Sequence, residues 1–159
     1  MLLRLLTSVK AGMLTSLHIK NIVLIEELFL EFKGGLSVLT GETGAGKSIL
    51  LDSLGLVLGE RAEANLLRRG AVQASVVAEF DLNVSHEIWN VLERQGFEVN
   101  SKHVLILRRT LAEDGRSKAF LNDQSISVGF LKTIGGMLVD VHGQFETYGL
   151  INPAIHRQL

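Results

Sequence analysis

Apolar and polar residues alternate from Leu14 to Lys20. They do so more loosely from Ile22 to Phe32, where Glu26, Glu27 and Glu31 stand between apolar neighbours. Side chains on a strand point to opposite faces with a period of two, so both stretches predict strands with one buried face. Lys33-Gly34-Gly35 marks a turn, and 36–40 (LSVLT) is a short apolar run of the kind a buried strand shows. The period then changes. Ile49, Leu50, Leu54, Val57 and Leu58 recur at helical spacing, Leu51 and Leu56 add apolar residues on other faces, and Gly59 supplies a stop. This predicts a largely buried helix from about Lys47 to Leu58. Residues 60–73 read as a loop carrying Arg61, Arg68 and Arg69, and 75–82 as a strand. Ser85 is placed to cap a helix that runs to Gln95 and stops at Gly96, with Ile88 and Leu92 on its buried side.

Further along, 103–111 is strand-like, Glu113-Asp114-Gly115-Arg116 is a turn, and 117–121 returns as a second strand, which together predict a hairpin. Phe130, Leu131, Ile134 and Leu138 predict a helix over 127–137. Met137 to Val141 reads as another buried strand, leading into His142-Gly143-Gln144. Asn152-Pro153 has the form of a helix start, an N-cap followed by proline. The succession predicts an α/β fold: a mixed sheet with an antiparallel N-terminal portion and helices packed on it.

Composition narrows the function classes. The chain has 159 residues, the size of one domain. Sixteen basic residues stand against seventeen acidic ones, so any nucleic-acid role must rest on a local patch. The absence of cysteine excludes disulfides, thiolate metal sites and thiol catalysis. No apolar run approaches the ~18 residues of a membrane span, and the apolar stretch after Arg4 is too short for a secretory signal. Residues 1–12 read as an extension or a misplaced start ahead of Met13. The expected location is the cytoplasm.

One motif carries chemistry. Gly41-Glu42-Thr43-Gly44-Ala45-Gly46-Lys47-Ser48 fits G-x-x-x-x-G-K-[ST], with an apolar run before it and a helix after it. Glycines let successive backbone N–H groups turn inward as an anion nest, and the helix N-terminus adds partial positive charge. Lys47 is the phosphate cation, and the Ser48 hydroxyl suits Mg²⁺, which prefers oxygen ligands. The motif predicts binding of nucleotide phosphate with Mg²⁺, and the resemblance described next implies that the nucleotide is ATP. Hydrolysis also needs an acid on the metal and a group to orient water. Asp140 is the one clear acid at the end of an apolar run, and Gln144 is a candidate ligand for Mg²⁺.

Beyond the motif, an ordered set of segments shows a family resemblance. Leu17-x-Ile19-x-Asn21 opens it, followed by LSVLTGETGAGKSILLDSLGLVLGERA, Arg68-Arg69-Gly70, Leu107-Arg108-Arg109, Gly115-Arg116-Ser117, Ala119-Phe120-Leu121-Asn122 and Val139-Asp140-Val141-His142-Gly143-Gln144. Over residues 13–159 this resembles the N-terminal half of an SMC-type ABC ATPase head, most closely in the RecN family of DNA repair proteins. The resemblance implies that Gln144 is the Q-loop glutamine and that Asp140 is not the Walker B acid. It also implies that the signature motif and the Walker B pair belong to a half of the head that follows a long coiled coil. The expected partners are that C-terminal half, a second head closed on ATP, and DNA; the expected role is double-strand-break repair and recombination. Asp123 departs from the pattern, since the family usually has glycine after that asparagine. FETYGL after Gln144 is a second departure. A self-sufficient small NTPase or kinase using Asp140, and a fragment that binds nucleotide without hydrolysis, are the alternatives.

Other residues carry weaker expectations. Arg108, Arg109, Arg116 and Lys118, with Lys102, make a basic set across the hairpin that can contact DNA phosphate. A merely solvated hairpin is the competing reading. The five histidines lack metal spacing. His142 suits packing near the site better than a role as base. Trp89 and the phenylalanines read as core rather than as base-stacking surfaces.

Overall fold

The computed structural model of the chain describes residues 13–34, 44–99 and 103–139. Within them lie β1 (Met13–Ile22), β2 (Ile25–Glu31), α1 (Gly44–Val57), β3 (Gln73–Asp81), α2 (Glu87–Arg94), β4 (Val104–Ala112), β5 (Ser117–Leu121), β6 (Gln124–Ile126) and α3 (Val128–Leu138). The strands form one sheet in the order β2-β1-β3-β4-β5-β6, and every pairing is antiparallel. This is the antiparallel portion that the hydrophobic pattern predicts. The predicted strand at 36–40, residues 1–12, Gly41 to Thr43, Lys102, Asp140, His142, Gln144 and the helix start at Asn152 lie outside the described residues.

One face of the sheet holds the core. Leu17 and Ile19 of β1, Val76, Ala78 and Phe80 of β3, and Leu105, Leu107 and Leu111 of β4 are buried there with Leu54, Leu56 and Val57 of α1 and Leu131 and Ile134 of α3. α1 lies across β1, β3 and β4, and α3 lies against β5. The short α2 inserts Ile88, Trp89 and Leu92. The indole N–H of Trp89 donates to the Asn83 carbonyl at 2.9 Å, which satisfies its one polar group.

Local chemistry sets the ends of these elements, sometimes away from the expected residue. The loose alternation over 22–32 is two things. β1 continues to Ile22, Val23 and Leu24 form a two-residue turn, and β2 begins at Ile25. Val23 sits at φ +48°, a strained conformation for a β-branched residue. Its N–H donates to the Leu66 carbonyl at 2.9 Å, and the Asn21 carbonyl accepts from the Arg68 N–H at 2.9 Å. The turn is thereby tied to the loop after α1.

α2 begins one residue later than Ser85 would place it. His86 is the N-cap, its Nδ1 accepting from the Ile88 N–H at 3.1 Å, while Ser85 donates to the Asn83 side chain. Gly96 ends this helix as expected, at φ +81°. The run from Met137 is also corrected: Met137 and Leu138 complete α3 rather than open a strand. β6 has no counterpart in the hydrophobic pattern, because three residues carry too little alternation to mark a strand. It pairs with β5 through a turn at Asn122 and Asp123, with φ +45° and +65°. Two consecutive left-handed residues make the turn that matches strand twist, and Asn and Asp tolerate it best after glycine. Asp123 is therefore accommodated at this left-handed position, and its carboxylate accepts from Arg108 at 3.1 Å.

Candidate functional site

α1 brings the motif residues to the N-terminal end of a helix. The helix starts at Gly44 rather than at Lys47, so Gly44, Ala45, Gly46, Lys47 and Ser48 make up its first turn or so. Gly46 and Ser48 are exposed and Lys47 is partly exposed. No acidic residue lies in the first turn, so nothing there offsets the positive end of the helix dipole or competes with an incoming anion. A Cβ built on Gly46 meets nothing within 4 Å among the described residues. A cation, a hydroxyl and helix-terminal N–H groups are the donor set that a magnesium-bound polyphosphate requires.

The other end of α1 is closed. The Glu60 N–H donates to the Gly55 carbonyl at 2.9 Å and the Gly59 N–H to Leu56 at 3.2 Å, with Gly59 at φ +99°. These two bonds define a Schellman C-cap. Both glycines at this junction are required sterically. A Cβ on Gly59 would lie 2.5 Å from the backbone of Lys132, and one on Gly135 would lie 2.3 Å from the Leu58 carbonyl oxygen. Within α1, buried Ser53 donates to the Ile49 carbonyl at 2.7 Å and is satisfied inside its own helix.

The basic set of the hairpin does not form one surface. Neighbours on a strand face opposite ways, and Arg109 lies on the core side, 2% exposed. The expectation that it belongs to a basic surface is corrected. Its Nη2 donates to Ser117 Oγ at 2.8 Å, and burial lowers its pKa from the ordinary arginine value. Arg108 faces out, lies 4.1 Å from the centroid of the Phe120 ring and is bonded to Asp123. Arg116 donates through Nε to Asp114 at 2.6 Å and through its backbone N–H at 3.0 Å. Hydrogen bonding to Arg116 holds the Asp114 carboxyl below its ordinary pKa. Lys118 is exposed. Both outward arginines are thus already partnered by acids, Arg116 by Asp114 of the β4–β5 turn and Arg108 by Asp123 of the β5–β6 turn.

Arg68 and Arg69 contribute to a surface groove of about 410 Å³ with Val23, Leu24, Asn65 and Leu67. Arg68 also lies 3.3 Å from Glu26. The sequence placed the two arginines in a loop but missed the strained turn opposite them. The signal was four consecutive apolar residues, Ile22 to Ile25, where alternation fails. Arg61 lines a separate hollow of about 190 Å³ with Asp52, Glu60 and Glu63. Among the described residues no cluster of His, Asp and Glu is placed to hold a metal ion. Trp89 and Phe80 are core residues as expected, but Phe29 is 56% exposed on the outer face of the sheet.

A family model for the AAA domain matches residues 16–144. The chain belongs to the AAA domain family. Within that family it is similar to DNA repair protein RecN. The Bacillus subtilis (strain 168) protein is 39% identical over 147 residues, which is 92% of this chain and 25% of the relative. RecN of Vibrio cholerae is 43% identical over 144 residues, covering 89% of this chain and again 25% of the relative. The AAA-family chain thus spans about a quarter of the length of these relatives. Among solved structures, a chain from work on ATP-driven dimerization and DNA-stimulated activation of SMC ATPases superposes with a TM-score of 0.62. It is 20% identical, with 91% of this chain and 95% of that chain covered, a likeness that establishes a shared fold. Among the described residues no helix is long and apolar enough to cross a membrane.

Proposed function

We propose that this chain is the nucleotide-binding N-terminal part of a RecN-like, SMC-type ATPase head, acting in DNA double-strand-break repair and recombination. The observation that carries the reading is the first turn of α1. Gly46, Lys47 and Ser48 follow a glycine-rich sequence there, in a first helical turn that holds no acidic residue. In this reading Lys47 and the N–H groups of 42–48 hold the phosphates of ATP, and Ser48 and Gln144 provide oxygen ligands for Mg²⁺. The metal neutralises charge on the phosphates when bound. The fixed C-terminal end of α1 keeps Lys47 and Ser48 in register with the loop. Residues 13–159 then form half a head, with 1–12 as an extension.

Similarity to RecN, a DNA repair protein, supports the repair role. The SMC ATPase whose fold it shares is described as dimerizing under ATP, which supports closure of two heads on nucleotide. The hairpin gives DNA contact limited support, chiefly through exposed Lys118. Arg108 and Arg116 would have to leave Asp123 and Asp114 to reach phosphate, and Arg109 is buried. DNA contact is better sought in the remainder of a RecN-length protein.

The test is ATP binding and turnover by the purified chain with Mg²⁺, with and without DNA, beside Lys47→Ala and Asp140→Asn. Binding through Lys47 without turnover is the expected result. Turnover by the chain alone that Asp140→Asn abolishes would mean a complete small NTPase and end the half-head reading.

A further inference from the structure

The sheet has two edges, and they are managed differently. β6 is three residues long and runs directly into the N-cap of α3 at Ser127, so it offers little to a neighbour. β2 is seven residues long and pairs with β1 without a break, from Ser16 opposite Glu31 to Lys20 opposite Glu27. No strand among the described residues pairs with its other side. That side carries a row of backbone N–H and C=O groups, a template for one more strand. Proline, lysine and bulges are common devices that close such an edge. β2 has no proline and no lysine, and the irregularity in this part of the sheet lies between β1 and β3.

Its side chains specify what fits beside it. Glu27, Phe29 and Glu31 are exposed on the outer face, in steps of about 7 Å. Phe29 meets the His18 ring edge-on at 5.8 Å between centroids and is otherwise open. Glu27 meets His18 at 2.8 Å and Lys20 at 3.0 Å, both through Oε1, which leaves Oε2. Glu31 has no ion pair among the described residues. On the inner face Leu28 and Leu30 are partly buried against the core. A strand laid beside β2 puts one side chain directly opposite each of these, on the same face and within reach. Charge complementarity asks for a cation opposite Glu27 and another opposite Glu31. The residues opposite Leu28, Phe29 and Leu30 are best apolar. A second copy of β2 is a poor fit: antiparallel pairing centred on Phe29 would set Glu27 against Glu31 twice, and like charges directly opposite are destabilising.

We propose that β2 is a docking edge for an extended segment of a partner protein, with two basic side chains four residues apart and apolar ones between them. The segment adds a seventh, antiparallel strand. Backbone hydrogen bonds hold it, and the row of Glu27, Phe29 and Glu31 selects it. Nucleotide plays no part, so this edge and the half-head reading are tested separately.

The probe is the fluorescein-labelled peptide Thr-Lys-Val-Tyr-Val-Lys-Thr-amide, titrated with the whole chain and followed by fluorescence anisotropy. Two further peptides are N-methylated at alternate residues, one at Lys, Tyr and Lys, the other at the two Val. In a paired strand only alternate residues turn their N–H groups toward the neighbour. Saturable binding is expected, weakened about tenfold or more by one methylation pattern and less than about threefold by the other. Charge attraction alone would treat the two patterns alike. A peptide with Glu in place of both Lys is expected not to bind. Glu31→Lys is expected to weaken the Lys peptide roughly fivefold and to admit the Glu peptide. The position is exposed, and an unchanged melting temperature checks that the variant is folded. Absence of binding, equal loss with both methylation patterns, or indifference to Glu31→Lys would each overturn the proposal. A dimer of the chain in sedimentation that Phe29→Lys dissolves would also overturn it, by giving the edge to a second copy.

Discussion

The two ends of α1 obey opposite rules. At the N-terminal end Gly46 and Ser48 are exposed, Lys47 is partly so, and no described residue occupies the space beside Gly46. At the C-terminal end Gly59 and Gly135 let backbone meet backbone, and no added carbon fits. Glycine serves both ends for different reasons. In the first turn it leaves room for something that arrives, and at the junction with α3 it removes room from something that stays. A helix held firmly at its far end can present charged groups at its near end in a fixed position, which binding by preorganised donors requires.

Breaking the closed end has the largest expected effect. Gly135→Ala puts a methyl into the Leu58 carbonyl, and an unfolding free energy lower by about 3 kcal/mol is expected, as for backbone-level overpacking. Urea denaturation followed through Trp89 measures it. The comparison fails if the variant is as stable as the parent. Breaking the open end should do the reverse. Lys47→Ala removes a charge-assisted contact of about 2 kcal/mol, so ATP affinity falls roughly thirtyfold by titration calorimetry while the urea midpoint stays put. A fall in stability would mean that Lys47 serves the fold.

A third test uses a cap outside α1. His86 accepts at Nδ1 from the Ile88 N–H only while that nitrogen is unprotonated, and burial holds its pKa below the ordinary value, with Glu87 opposing. The unfolded chain therefore binds the proton more readily. Stability from this group is complete above about pH 6.5 and is lost as pH falls toward the lowered folded value, by about 1 kcal/mol, the worth of an N-cap. His86→Asn retains a capping acceptor and removes the titration, so its stability should change less between pH 7 and pH 5. Equal slopes for the two proteins would remove His86 as the cause. The smallest effect is expected at the β5–β6 turn. Asp123→Gly relieves a left-handed residue but loses the Arg108 contact, so the thermal midpoint should move by no more than about 0.5 kcal/mol equivalent.

Much of this architecture was legible. Period two marked β1, β3, β4 and β5, period 3.6 marked α1 and α3, and Gly59 and Gly96 stopped their helices where the backbone turns left-handed. The glycine-rich motif announced its place at a strand-to-helix transition, and the described half of that transition is a helix start at Gly44. Where the reading slipped, the local signal was divided. Ser85 and His86 both offer a capping acceptor, and Met137 and Leu138 suit a helix end as well as a strand. Only the course of the backbone separates these options.

What the sequence determined by itself is whatever depends on near neighbours: strand and helix periods, the stops, the phosphate motif and the family. What the tertiary structure decided is which of two plausible faces turns inward. Arg108 shares its face of β4 with Val104 and Ile106, and Arg109 shares the other with Leu105, Leu107 and Leu111. Both sets are apolar enough to be core. The choice rests on β3, β5 and α1, whose packing buries Arg109 and leaves Arg108 against Phe120 at the surface. The same holds for Gly135, which touches Leu58 more than seventy residues earlier in the chain. Local patterning sets the period of an element, but burial is a property of what packs against it, and that is contributed by residues distant in sequence.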